Sequence, residues 1–415
     1  MTRGHPAALA VIAAMIRGGA PGAVLIVGPA GIGKTTLALD LAAGLLCVAT
    51  DPAERPDGSC RGCRLVAHGS HPDVHRLGPE GPGRQVVIGG PGKPRGIRDL
   101  IAELALLPIE GDARVAIIES AHRMNEDAQA ALLKTLEEPP ARTTIVLCAD
   151  AEEPLLPTIR SRCARIRLGP VGVRDIESIL VDLGAADPPL GARLARIADG
   201  RPGLALAWAR QPDALRERDA LGRALLDLSA ARPSLRLQGI RAIAIQAAAL
   251  TVVADAPPQN GSQPGTGPRG KGRGASRSEP SAAADPAAPA SASAVSPDTI
   301  AENATTPPAQ PDDEAIVPTR APATERRRAA EAIVSLWTDV ARDLALCQRG
   351  LERSVRDLDR LDETVSLAAD LDPEDVAAFL DRLGRAGVLL TTNVSPELVL
   401  DDLALAWPSR RRSAA

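Results

Sequence analysis

The stretch Gly28-Pro-Ala-Gly31-Ile-Gly33-Lys34-Thr35-Thr36 constrains this chain more than any other feature. It follows the apolar run AVLIV and opens the pattern TLALDLAAGLL, so a β-strand must pass straight into a helix through a glycine-rich turn. GxxxxGK[ST] in that context is the pattern of a phosphate-binding loop. Glycines let backbone amides curl around an anion at a helix N-terminus, Lys34 reaches the terminal phosphates, and the Thr35 hydroxyl can join magnesium. Gly28, Gly31, Gly33, Lys34, Thr35 and Thr36 are therefore the expected contacts for ATP or ADP with Mg. A glycine turn that has kept its shape and binds nothing is the plainer alternative.

A second strand, Arg114-Val-Ala-Ile-Ile, ends on Glu119, which is placed to bind magnesium directly or through water. An ordinary solvated carboxylate at a strand end is the competing reading. Position 120 says more, because a hydrolysing site of this kind usually carries a second acid there to orient water, and this chain has Ser120. Binding without appreciable hydrolysis is the expectation.

The chain of 415 residues is long enough for about three domains. Its net charge of −4 excludes a surface that is basic all over, and three Trp, one Phe and no Tyr exclude base-stacking platforms of the OB or RNA-recognition type. Cores must be built from Leu, Ala, Val and Ile. Short β-rich runs at Val24 to Val27, Val115 to Ile118 and Thr144 to Leu147 alternate with helical patterns, which predicts a parallel α/β sheet over residues 1–169. Residues 170–212 have helical period, with Ile176, Ile179, Leu180 and Leu183 on one face. Residues 213–254 and 324–410 read as a further helical region, whose last helix takes Ser395 as N-cap and Pro396 at its first position. Between them, 255–323 is Pro-, Ala-, Ser- and Gly-rich with no Leu, Met or aromatic residue, and is expected to be a disordered insertion. The N-terminus reads as an amphipathic helix rather than a signal peptide, and no run reaches the roughly 18 to 20 apolar residues of a membrane span. A cytoplasmic protein is expected.

Cys47, Cys60 and Cys63 lie close together, and Cys60-Arg-Gly-Cys63 is a CxxC whose Gly62 suits a tight turn around zinc. A tetrahedral site needs a fourth donor. Asp57, His68 and His71 are available, with Asp57 nearest in the chain and preferred over His71. Three free thiols in a reducing compartment are the alternative.

These motifs converge. Cys60-Arg-Gly-Cys63, Gly69-Ser-His71-Pro72-Asp73, the block running from Asn125 through LLKTLEEPP to Pro140, and Thr158-Ile-Arg-Ser161-Arg162-Cys163 together resemble the delta prime family of bacterial DNA polymerase III clamp loaders. The resemblance covers about residues 1–250 well and 330–408 more loosely, through Asn393-Val-Ser-Pro-Glu. It implies an AAA+ fold: an α/β P-loop sheet domain (1–169) with a zinc-like insertion at 47–73, a small helical lid (170–212) and an all-α collar (213–254 with 324–410). Family members of this kind assemble with gamma/tau and delta subunits to load the sliding clamp on primer-template DNA. They act as a rigid stator whose own ATPase is weak or absent. The resemblance places Arg162 as an arginine finger for a neighbouring subunit's ATP and leaves Arg160 structural. It puts Gly203 where a motor subunit has a second sensor arginine, and Asp57 where many members have the first cysteine of CxxCxxC. The enzymatic alternative is a gamma/tau-like motor hydrolysing ATP at its own P-loop. On the blandest reading, Arg160 and Arg162 only pair with surface acids such as Glu152 or Glu153, and Glu137 and Glu138 are a solvated helix end.

Overall fold

A computed structural model describes residues 1–79, 85–247, 322–392 and 394–410. Five parallel strands, β1 (Ala23–Val27), β2 (Val74–Leu77), β3 (Arg114–Ile118), β4 (Thr143–Ala149) and β5 (Ala164–Arg167), form one sheet in the order β2-β3-β4-β1-β5. The three expected strands are β1, β3 and β4, and they form the middle of the sheet. Their Val- and Ile-rich runs suit strands buried on both faces, as parallel sheets require.

Side chains alternate across the sheet. Val24, Ile26, Val115, Ile117 and Val146 face the core under α1 (Pro6–Gly18) and α2 (Lys34–Leu45). Leu25, Ile118, Ile145 and Leu147 face the opposite core, after the short α3 (Arg61–Ala67), under α4 (Ile97–Leu104) and α5 (Glu126–Glu137). The amphipathic first helix buries Ala8, Ile12 and Ile16. It crosses α2 at Gly44, where an added Cβ would fall 2.1 Å from Ile16 Cδ1. The sheet unit closes with α6 (Pro157–Arg162) and β5.

Three helices follow, α7 (Val173–Asp182), α8 (Pro188–Ile197) and α9 (Pro202–Arg210). They share a core of Ile176, Leu180, Leu194, Ile197, Ala205 and Trp208. Leu183, expected on the buried face, is the C-cap of α7 and is 57% exposed.

The all-α C-terminal region consists of α10 (Pro212–Asp227), α11 (Pro233–Gln246), α12 (Ala323–Cys347), α13 (Leu361–Asp370), α14 (Pro373–Leu390) and α15 (Pro396–Ala406). Both chain segments contribute to one core. Three of the four aromatic rings in the protein gather there: Trp337, Phe379 and Trp407 have centroids 4.7 to 5.4 Å apart in tilted and edge-on geometry. The expectation of purely aliphatic cores thus fails in this region. Buried Arg236 on α11 ties the chain end down by donating to Trp407 O, to Ser229 O (3.0 Å) and to Ser409 Oγ (2.8 Å).

The segment expected to be disordered lies outside the described residues up to position 321, as do 248–254 and Asn393. Helix α12 already begins at Ala323, inside the boundary expected from composition. Ser395 does precede α15, but its hydroxyl bonds Glu397 Oε2 at 2.6 Å rather than a backbone amide. Among the described residues no helix is long and apolar enough to cross a membrane.

An ionic cluster lies buried within the helical part. Asp357 Oδ2 accepts from Arg218 Nη1 at 2.9 Å and Arg360 Nη2 at 2.7 Å, and the Arg218 guanidinium lies 5.3 Å from the centre of the Trp208 ring. All three charged side chains are 3–4% exposed. Burial alone would push the Asp357 carboxyl up, but the two guanidinium groups hold it below its ordinary value. Removing this acid leaves buried Arg360 without its carboxylate and Arg218 with only the longer contacts to Asp219 and Asp339, both 3.7 Å. Asp357→Ala is therefore expected to destabilise the protein by about 3 kcal/mol or more, read from urea denaturation midpoints.

Candidate functional site

The glycine-rich loop leaves β1, which lies between β4 and the edge strand β5. Gly28 N donates to Ala149 O at 3.2 Å, and a Cβ on Gly28 would meet Leu168 O at 2.6 Å, so the loop starts hemmed between the extensions of β4 and β5. Gly31 (φ 77°) and Gly33 (φ 109°) take left-handed conformations that side chains resist. Gly33 is the N-cap of α2, which has no capping side chain and no acid in its first turn. A Cβ there would meet nothing within 4 Å. Uncapped amides at a helix N-terminus beside open space fit a phosphate group.

Lys34 is buried and its ammonium has three partners: Gly28 O (2.6 Å), Pro29 O (2.8 Å) and Asp150 Oδ1 (2.7 Å). Thr35 and Thr36 follow, half-buried, in the first turn of α2. Asp150, just past β4, is marked by no motif in the sequence. Its amide donates to His122 Nδ1 at 3.1 Å, and its Oδ2 lies 3.5 Å from His122 Nε2. That pattern leaves Nδ1 as acceptor, and burial holds the His122 pKa below its ordinary value, so the ring is neutral at pH 7.

Glu119, the expected magnesium acid, is ion-paired. Arg76 of β2 donates to its Oε1 from Nε (2.9 Å) and Nη2 (2.5 Å). No sequence motif marks Arg76; the parallel register of β2 on β3 brings it there. Ser120 takes the left-handed conformation (φ 52°, ψ 46°) at the sharp exit from β3. Gly203, in the first turn of α9, donates from N to Gly31 O at 2.8 Å, and a Cβ on it would fall 2.9 Å from that oxygen. Backbone of the helix thus meets backbone of the loop at Gly203, with no space there for a larger residue.

The cysteines converge. Cys47, Asp57, Cys60 and Cys63 each bring one ligand atom within 4.8 Å of the others. Cys60 Sγ lies 3.9 Å from Cys47 Sγ, and two sulfurs bound at about 2.3 Å to a tetrahedral ion stand roughly 3.8 Å apart. Asp57 Oδ1 accepts from Ser59 N (2.9 Å) and Cys60 N (3.0 Å), which holds its carboxyl ionised far below the usual range. Burial pushes the Cys63 thiol well up. Such a donor set fits a dication, which favours thiolates. Gly62 departs from its expected role: it lies within α3, where a Cβ would meet Leu46 O at 2.7 Å, so it serves close packing rather than a turn. His68 and His71 stay outside the group. His71 Nδ1 accepts from Asp73 N at 3.1 Å, and Asp73 in turn accepts from the amides of Ile109, Glu110 and Gly111 at 2.6 to 2.9 Å. The His-Pro-Asp block is therefore a brace for the turn at 109–111.

Asn125 caps α5 through Ala128 N (3.0 Å), as the sequence implies. Buried Gln129 was not anticipated. Its amide donates to Met124 O and Pro154 O (both 3.1 Å) and accepts from Leu156 N (2.8 Å), clamping the segment that launches α6. Arg162, exposed at the end of α6, donates to Thr158 O (2.9 Å) and pairs with Glu137 at 2.5 Å. That pair supplies a reason for an acid at the C-terminus of α5. Glu152 pairs with Arg165 and Arg167 instead, and Arg160 lines a cleft beside Asp150.

A parallel sheet carrying a P-loop, a three-helix unit lying on that loop and an all-α C-terminal region make this an AAA+ architecture. Residues 4–172 match the family described as DNA polymerase III, delta subunit. The chain is similar to DNA polymerase III subunit delta prime of Pseudomonas aeruginosa, with 40% identity over 34% of this chain and 42% of the relative. It is likewise similar to that subunit of Escherichia coli, with 36% identity over 49% of this chain and 58% of the relative. Subunit tau of Salmonella typhimurium is 33% identical over 43% of this chain and 27% of that protein. The resemblance drawn from the motifs therefore stands, and the matches span about half the length of the delta prime relatives.

Replacing Gln129 by Leu takes this partner from the part-buried Leu156 amide and from the Met124 and Pro154 carbonyls. Gln129→Leu is expected to cost about 1 to 3 kcal/mol. Amide hydrogen exchange should rise across residues 154–162, the check that separates this local loosening from general destabilisation.

Proposed function

We propose that this chain is a clamp-loader subunit of delta prime type. It assembles in the cytoplasm with gamma/tau and delta subunits, acts on the sliding clamp and primer-template DNA through the assembled complex, and serves as stator rather than motor. Its regions then correspond to sheet domain (1–169), lid (170–212) and collar (213–254 with 324–410), with 255–323 an insertion outside that correspondence. The observation that carries this reading is an asymmetry. The hydrolytic acid is replaced by Ser120 and a sensor arginine by a glycine bonded to the P-loop, while Arg162 is kept on an exposed helix end.

Gly28, Gly31, Gly33, Lys34, Thr35 and Thr36 would hold ADP or ATP, with magnesium on the Thr35 hydroxyl and Glu119. The loop amides bind phosphate oxygens, Lys34 neutralises terminal charge, and the Arg76 ion pair competes with magnesium for Glu119. Ser120 cannot accept the proton of an attacking water as a carboxylate does, so turnover is slow. The intact Lys34 and the similarity to tau favour a second reading, a motor ATPase. Turnover on the order of 1 per second or more by the isolated chain, lost in Lys34→Ala, would establish that second reading instead.

Arg162 serves the neighbouring subunit's ATP, because charge building on the transferred phosphoryl oxygens calls for a permanent cation with two donors. Glu137 holds it in place until the neighbour's nucleotide competes for it. Arg162→Ala should leave folding and assembly intact and lower hydrolysis at the affected site by up to about 10³-fold, with clamp loading as the readout. Loading at the unmutated rate by an assembled mutant complex rejects the assignment.

Cys47, Asp57, Cys60 and Cys63 would hold one structural zinc ion, tying the end of α2 to α3. Elemental analysis of protein purified without chelator should give close to one zinc per chain, and below about 0.2 per chain rules the site out, since structural zinc binds tightly.

A further inference from the structure

The ammonium of Lys34 has three donors, and all three are engaged within the protein. Two go to carbonyls of the loop itself. The third goes to a full negative charge, Asp150 Oδ1 at 2.7 Å. A P-loop lysine must turn toward the terminal phosphates when nucleotide is bound. Here an acid stands beside it at the carboxyl end of the strand next to β1, Val27 pairing with Ala149 one residue before Asp150.

Asp150 is not free to swing away. Its amide is held by His122 Nδ1, and His122 Nε2 lies 3.5 Å from its second oxygen. Of the arginines on the same cleft, Arg165 and Arg167 are both paired with Glu152. Lys34 meets the terminal phosphate of either nucleotide. A triphosphate sets one more phosphoryl group at this edge, where it must draw the lysine from Asp150 and then lie against that carboxylate.

On the reading of this loop as a nucleotide site, we propose that Asp150 is a specificity-determining residue: it makes the site accept a nucleoside diphosphate and disfavours the triphosphate. The effect is electrostatic. Each added phosphate brings more negative charge toward a carboxylate in a half-buried setting, where screening is weaker than in water. The diphosphate gains from the loop amides and brings one charged phosphoryl group fewer against Asp150.

The test is calorimetric titration of the full chain with Mg-ADP and with a non-hydrolysable Mg-ATP analogue, in the wild type, D150N and D150E. The wild type should bind ADP more tightly than the triphosphate. D150N, which keeps the shape and removes the charge, should tighten triphosphate binding by about tenfold or more while ADP affinity moves less than about threefold. D150E, which keeps the charge, should retain the wild-type preference. This ratio is the readout that a merely structural residue would not move. Should D150N fail to fold by thermal melt, D150S takes its place with the same expectation. Equal affinities for the two nucleotides in the wild type, or a D150N change that is the same for both, overturns the role of Asp150 and leaves the nucleotide site standing. Binding of neither nucleotide by the wild type and D150N overturns the nucleotide reading itself, and this inference with it.

Discussion

Everything at the candidate site depends on one strand being held between two others. β1 pairs in parallel with β4 on one side and β5 on the other, so that Val27, Ala149 and Arg167 end level. The loop that leaves β1 can only turn over its own helix, and its first glycine is pressed between the neighbouring strand ends. Ligands of open parallel sheets bind outside the carboxyl ends of the strands because helix N-termini and loop amides collect there. In this protein the same edge collects Lys34 and Asp150, and with them a charge pair that needs no ligand to be satisfied.

Much of what looks like a functional motif is bracing. Asp73 closes the turn at 109–111 with three amides, and His71 receives the Asp73 amide rather than a metal. Gln129 holds the start of α6, and Glu137 steadies the arginine at its end. A buried acid or amide with all its bonds made orders its surroundings, because leaving any one of them unmade costs more than a typical hydrogen bond contributes. Each of these residues belongs to a block that carried the family resemblance.

The helical part uses the few aromatic rings of the chain economically. Trp337, Phe379 and Trp407 come from three helices and meet at one point, joining α12, α14 and the end of α15. Arg218 joins Trp208, in the three-helix core, to the acids near 357. Packing and buried charge therefore act at the same junctions, and charge demands exact partners where aliphatic packing tolerates exchange.

The linear sequence alone determined the strand-loop-helix of the P-loop, the buried strands β1, β3 and β4, the cap at Asn125 and the three cysteines of the cluster, leaving Asp57 preferred among three candidate fourth donors. Each is local or has a spacing that chemistry dictates: period two for a strand, GxxxxGK for phosphate, CxxC for a metal. The partners of those residues came only from the tertiary structure. Arg76 meets Glu119 across 43 positions, Arg162 meets Glu137 across 25, and Asp150 meets Lys34 by the pairing of strands distant in sequence. No periodicity encodes such contacts, since strand order and register decide which side chains share an edge. The sequence named the groups of a phosphate-binding pattern; the fold decided which opposite charges they already hold.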